Sequence, residues 1–473
     1  MGQESRGKYL AKNTAIFAIG NMGTKLITFL MVPLYTYALS TEQYGTINTI
    51  MSICSMIIPL IMCNIGEAVR RYLLDKEADV FGIQQVEVIW FAFGTVVSVI
   101  LFGVLLFVPG YSEHALEMSL YIFLNAFTST TLDYLRGKEK LGLYTFCGIF
   151  QTFLIALLNI VFLISLKKGI HGYFASYIIA NFVCGLIAFV GGKQLATIKK
   201  IHFDKRLFIE MSKFSIMLVP NSIMWWVTSS SDRLMVTYLI SAAANGVYSV
   251  SYKLPTIMST LNTILMQAWQ YSAIKEQEIE DDLDYNNHMF RLYVATISII
   301  AAGLLFINQP FTNIYVAEAY RGAWKYSPYL IFGSVFSTLG TFVGTSYYVQ
   351  KDMKGNLRSA TVGAVINILL NIILIPTIGV QGAAIATCIS YIGVFVYRVI
   401  DTRKYLPLTI VTRFSTVITI LLFIMLITSF VEGMVRYCIH VLCIIGILVI
   451  ARQYYIPILK GIVSKFVKGA CRE

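Results

Sequence analysis

The sequence predicts an all-α integral membrane protein of fourteen spans, arranged as two six-helix lobes followed by two C-terminal helices. Three observations predict it. Only 13% of the 473 residues are charged and 57% are hydrophobic, against roughly 25% charged in a soluble domain. Apolar runs near or above 18 residues recur along the chain, each long enough to cross about 30 Å of hydrocarbon. The basic residues fall almost entirely on one side of those runs.

Apolar runs between charged or turn-rich breaks place spans near 13–39, 44–66, 85–108, 115–135, 141–166, 170–192, 214–240, 245–270, 288–309, 326–348, 358–378, 382–406, 410–430 and 435–456. The first run follows a basic stretch but continues to Leu39 without a small-residue cleavage site, so it is expected to be a retained helix. With residues near a span end counted on the adjacent side, 29 of the 37 Lys and Arg residues fall on the side of the N-terminus, five on the other side (Lys167, Lys168, Arg321, Lys325 and Arg436), and three deep in the membrane. Positively charged loops stay in the cytoplasm. Both termini are therefore expected there, and because one missed span would exchange the sides of every later loop, the split supports the count of fourteen.

A net charge of +12 would suggest nucleic acid in a soluble protein. Here the basic residues lie in short loops where they set topology, so no nucleic-acid partner is expected. The eight cysteines are not placed for an extracytoplasmic disulfide. The five histidines show no metal-ligand spacing, so no metal site is expected. The outer loops are too short for a catalytic region, which argues against an enzyme. The six carboxylates between Glu276 and Asp284 read as a solvated linker.

The halves repeat. Ser40-Thr41-Glu42-Gln43-Tyr44-Gly45 after the first span matches Ser241-Ala242-Ala243-Ala244-Asn245-Gly246 after the seventh, at an offset of 201. Leu157-Leu158-Asn159-Ile160 followed by Gly169-x-x-Gly172 matches Leu369-Leu370-Asn371-Ile372 followed by Gly379-x-x-Gly382, at offsets of 212 and 210. Two matches in one order indicate a duplicated six-helix unit, as in many transporters. The expected organisation is a lobe at 1–192, a basic cytoplasmic linker at 193–213, a second lobe at 214–406, and two further helices with a cytoplasmic tail at 407–473.

Three cations lie within the spans. Lys25 is about a dozen residues from either end of the first, or roughly 18 Å at 1.5 Å per residue, beyond the reach of snorkelling. A Lys at that depth costs at least about 2.5 kcal/mol, so it is expected to face a wet, anion-binding cavity; a structural bond to a carbonyl is the alternative. Arg233 and Lys253 lie nearer the outer ends of their spans and either face the same cleft or snorkel. Arg70, Arg71 and Arg136, at cytoplasmic helix ends, either set topology or form the inner rim of a basic vestibule. In the first lobe Glu67 and Asp133 lie only near the cytoplasmic edge, and no carboxylate is expected at mid-membrane depth. That sign pattern suits a diphosphate better than a cation.

The first-span run from Asn13 to Leu26, the L-S-T-E-Q-Y-G that closes it, the segment from Ser231 to Pro255, and the segment from Asn367 to Thr387 resemble the MOP exporter superfamily over the first twelve spans. Within it they are similar to the polysaccharide transporter branch of Wzx-like flippases. The resemblance implies a MATE-like fourteen-helix fold and alternating-access translocation of undecaprenyl-diphosphate-linked oligosaccharide repeat units from the cytoplasmic to the outer leaflet. A bacterial inner-membrane location follows, with a polysaccharide polymerase and other assembly proteins as partners. The alternative is a cation-coupled drug or metabolite antiporter of the same fold. The Tyr-Lys-Leu-Pro setting of Lys253 is similar to that of a cavity arginine in lipid II flippases. That branch also implies an ion site, here Asp232, Asn367, Asn371 and Thr387, with Na+ or H+ as coupling ion and no other cofactor. Asn371 and its counterpart Asn159 also suit interhelical hydrogen bonding.

Overall fold

The computed structural model describes residues 3–75, 77–195, 203–276, 283–350 and 352–470. Part of the predicted cytoplasmic linker (196–202) and of the acidic linker (277–282) lies outside the described residues. What is described is almost entirely helical, without a strand. In chain order the helices are α1 (Gln3–Ala38), α2 (Thr41–Ile61), α3 (Ile65–Leu73), α4 (Val80–Leu105), α5 (Ala115–Gly137), α6 (Leu141–Asn159), α7 (Gly169–Gly192) and α8 (Lys205–Leu239). They continue as α9 (Ala242–Ser251), α10 (Lys253–Glu276), α11 (Leu283–Tyr315), α12 (Ser327–Val349), α13 (Met353–Ile378), α14 (Val380–Asp401), α15 (Arg413–Thr428) and α16 (Met434–Ala470). Each predicted span coincides with helix, and ten helices among the described residues are long and apolar enough to cross a membrane. The chain is a multi-pass membrane protein.

Two spans are interrupted. The predicted 44–66 span breaks where Cys63 and Asn64 both take positive φ, 44° and 54°. Left-handed backbone cannot propagate a right-handed helix, so α3 starts afresh at Ile65. The predicted 245–270 span breaks at Tyr252, three residues before Pro255, whose missing N–H weakens the helix there. At the linker, the Asp204 carboxylate accepts from the N–H groups of Arg206 (2.8 Å) and Leu207 (3.1 Å) and starts α8. The last nine residues of the predicted linker are thus helical.

Both repeat motifs are built as repeats. The Ser40 hydroxyl accepts from Gln43 N and the Gln43 side chain accepts from Ser40 N, both at 3.1 Å, a capping box. The Ser241 hydroxyl accepts from Ala244 N at 3.1 Å. The two turns touch. A Cβ on Gly45 would lie 1.7 Å from the Ala242 carbonyl oxygen, and one on Gly246 would lie 2.0 Å from that of Thr41. Asn245 Nδ2 donates to Gly45 O (3.1 Å) and Thr49 Oγ1 (2.9 Å) across the same contact. In the other motif, Gly169 and Gly379 both take positive φ, 54° and 67°, and Gly172 and Gly382 both lie tight against the end of the preceding helix.

The chain forms two compact units, Met1–Gly246 and Val247–Glu473. In the first, α1 packs on α6, α7 on α5 and α6, α3 on α5, and α8 on α2 and α3. In the second, α14 packs on α12 and α13, α10 on α12, and α11 on α12 and α16. Its core includes Trp269 stacked on Phe342 with centroids 4.4 Å apart, next to Phe290 and Tyr293. The unit boundary falls one helix later than the lobe boundary read from the repeat, because α8 is held by α2 and α3.

Candidate functional site

The predicted arginine rim is only partly a cluster. Arg70 projects from the last turn of α3 and pairs with Glu67 one turn back, and its Nη1 lies 3.6 Å from Asp133 Oδ1. Arg136, on α5, reaches the same oxygen at 3.3 Å. Two arginines thus share two carboxylates, and the expected basic vestibule is a charge-balanced network at this point. Arg71 turns away to Asp75 at 2.7 Å and is solvent-exposed. Beside it Tyr72 donates to Glu210 at 3.1 Å; burial first, then the glutamate, push its phenol up to about 12.

Lys25 is exposed on α1, flanked by exposed Met22 and Leu26. Arg233 is half-buried on α8, next to Asp232, whose Oδ1 accepts from the Arg233 N–H at 2.8 Å. Lys253 is half-buried as the first residue of α10, in the second unit. Tyr252, Pro255 and Thr256 around it line a hydroxyl-rich cavity of about 140 Å³ with Asn262 and Thr338.

Three of the four predicted ion ligands come together. Asn367 Nδ2 donates to Thr387 Oγ1 (3.3 Å) and Ser390 Oγ (3.5 Å), and Asn371 Nδ2 donates to Asn367 Oδ1 (2.9 Å). All four side chains are fully buried between α13 and α14, and Asn371 Oδ1 has no hydrogen-bond partner. An orphaned carbonyl oxygen in a buried amide cluster suits a hard cation. Asp232, also fully buried, belongs to the first unit. Asn159, the repeat counterpart of Asn371, makes the interhelical bond, donating to Tyr35 Oη on α1 at 3.1 Å.

The sequence reading missed several polar groups. Inside the first unit, Thr28, Tyr35, Tyr121, Asn125, Gln151 and Asn181 line a cavity of about 220 Å³. Its polar groups are amides and hydroxyls, joined by bonds such as Gln151 Nε2 to Asn181 Oδ1 at 3.0 Å. Lys25, one turn from Thr28, is outside its wall. A second cavity of about 280 Å³ lies between α4, α5 and α7, and Glu87 lines it with Phe91 and Phe127. Glu87 is buried, with an oxygen lacking any hydrogen-bond partner. Glu87 thus adds a buried carboxylate, near the start of α4, to Glu67 and Asp133. In the second unit Arg398, counted above only as a topology residue, is buried and donates to Asn356 (2.8 Å), Gly340 O (2.9 Å) and Ser359 (3.0 Å).

Comparison with known proteins agrees with this architecture. The family model described as polysaccharide biosynthesis protein matches residues 10–270. An uncharacterised membrane protein of Methanocaldococcus jannaschii is 22% identical over 84% of this chain and 99% of its own length. The probable low-salt glycan biosynthesis flippase Agl15 of Haloferax volcanii is 22% identical over 62% of this chain and 63% of its own. Among solved structures, the lipid II flippase MurJ in an inward closed conformation superposes with a TM-score of 0.65 at 16% identity, covering 95% of this chain and 99% of that one. An inward-facing MATE multidrug resistance transporter of the MOP superfamily superposes with a TM-score of 0.64 at 12% identity, covering 82% and 98%. The chain belongs to the polysaccharide biosynthesis protein family and has the all-α fold of the MurJ and MATE transporter structures.

Proposed function

We propose that this protein flips undecaprenyl-diphosphate-linked oligosaccharide repeat units from the cytoplasmic to the outer leaflet by alternating access of two lobes, for assembly of a surface polysaccharide. Membership of the polysaccharide biosynthesis family carries the reading, and the flippase named in Haloferax volcanii supports it. Lys25 supplies the chemistry. A cation at mid-span depth on an exposed face of α1 is costly unless it meets water or an anion, and a diphosphate is the anion that a lipid-linked sugar presents. The bias of basic residues toward the loops on the N-terminal side supports a cytoplasmic position for both termini. Asn367, Asn371 and Thr387, with Asp232, are the residues proposed for Na+ coupling; Glu87 is the carboxyl placed to carry a proton if H+ is used instead.

Deletion of the gene is expected to leave lipid-linked repeat units accumulated on the cytoplasmic leaflet and the surface polysaccharide lost. Lys25→Ala should abolish export, while Lys25→Arg, which keeps the charge, retains part of it. Normal surface polysaccharide in the deletion strain, together with new drug sensitivity, would replace this reading with the drug-antiporter one. Wild-type export by Lys25→Ala would remove Lys25 from the mechanism.

A further inference from the structure

Where α5 and α7 begin, at the end that the charge rule assigns to the outside, three metal-ligating side chains converge. His114 comes from the one-turn 3-10 helix before α5, Glu117 from the first turn of α5, and His171 from the first turn of α7. Their ligand atoms all lie within 4.8 Å of one another. Glu117 stands between the two imidazoles: one oxygen bonds His171 Nδ1, and the other lies 3.9 Å from His114 Nδ1. The rings approach to 5.3 Å between centroids.

Two of these atoms are orphans. His114 is only 7% exposed, and its Nδ1 and Glu117 Oε2 are buried with no hydrogen-bond partner. Leaving a ring nitrogen and a carboxylate oxygen unsatisfied side by side is costly, and a cation between them would satisfy both. We infer that His114, Glu117 and His171 form a binding site for a divalent transition-metal ion of the Zn2+ class. Two imidazole nitrogens and one carboxylate oxygen are a zinc donor set that leaves a fourth position for water, whereas Ca2+ and Mg2+ need six or more oxygens. Metal bonds of about 2.0–2.2 Å set ligand atoms roughly 3.3 Å apart, so on binding the His171–Glu117 hydrogen bond opens to admit the ion while His114 Nδ1 and Glu117 Oε2, now 3.9 Å apart, draw together. His171, 60% exposed, forms the open side through which the ion enters.

The ion clips the outer end of α5 to that of α7. Tyr121 and Asn125, one and two turns further along α5, and Tyr177 and Asn181 on α7 line the polar cavity of the first unit. Metal occupancy therefore sets the spacing of two walls of that cavity. No sequence pattern announces the site, because its third ligand comes from a different helix.

The test uses the full-length protein purified in detergent, stripped with a chelator and titrated with Co2+ and then Zn2+. The expected result is one Co2+ per chain with the visible absorption of a tetrahedral nitrogen and oxygen site, displaced by one Zn2+, and a melting temperature that rises with Zn2+. His171→Ala, at an exposed position, should melt like the wild type in chelator yet bind at least 10–100-fold more weakly, the loss seen when even an outer-shell metal partner is removed. Glu117→Gln should lose as much. Wild-type affinity in His171→Ala would overturn the site. So would the absence of saturable binding at one ion per chain, or a melting temperature that responds to pH and not to metal, the signature of a His–Glu hydrogen bond alone.

Discussion

At Gly45 the chain has no room for a methyl group: the carbonyl oxygen of Ala242 lies 1.7 Å from where a Cβ would be. Gly45→Ala is expected to cost at least the roughly 1–3 kcal/mol of an overpacked core, read as a lower melting temperature in detergent. Gly103→Ala is the control. Gly103 lies inside α4 with nothing within 4 Å of its Cβ position, so alanine there should raise stability by up to about 1 kcal/mol through helix propensity. Gly45 was legible in the sequence as a repeated turn glycine. Its tightness was not, since it depends on the backbone of a segment some 200 residues away. Arg398 shows the converse. In the sequence it is one more cytoplasmic arginine, and only the folded helices reveal that Asn356, Gly340 and Ser359 surround it.

Among elements, α13 and α14 make the more specific prediction. Asn367, Asn371 and Thr387 all followed from the resemblance, and the four-residue spacing adds only that both asparagines share one helix face. Ser390 was not singled out because its only mark is a turn's distance from Thr387. If Na+ couples transport, Asn371→Ala should lower the rate of Na+-driven flipping in proteoliposomes at least tenfold while leaving its pH dependence unchanged. If H+ couples it, Glu87→Gln should abolish pH-gradient-driven flipping and Asn371→Ala should not. Glu87 escaped notice for a physical reason: near the start of a span a glutamate reads as an interfacial residue, and burial by Phe91 and Phe127 is a tertiary property. The break between α2 and α3 had one local mark, Asn64, which tolerates left-handed backbone, but inside a long apolar run a single Asn does not outweigh the hydropathy, and Cys63 carries no such mark.

For the whole molecule, the sequence reading of topology rests on a sum of charges rather than on any contact. Single cysteines in a cysteine-free background test it. A cysteine at Glu113 should react with a membrane-impermeant thiol reagent in intact cells, and one at Lys138 should react only after lysis; the reverse pattern would invert the protein. The contact between the two repeat turns has a further consequence. With an offset of 201, Gly45 corresponds to Gly246 and Thr41 to Ala242, and Gly45 meets Ala242 while Gly246 meets Thr41. Each copy therefore presents to the other the surface that it receives, which is the contact rule of a two-fold homodimer.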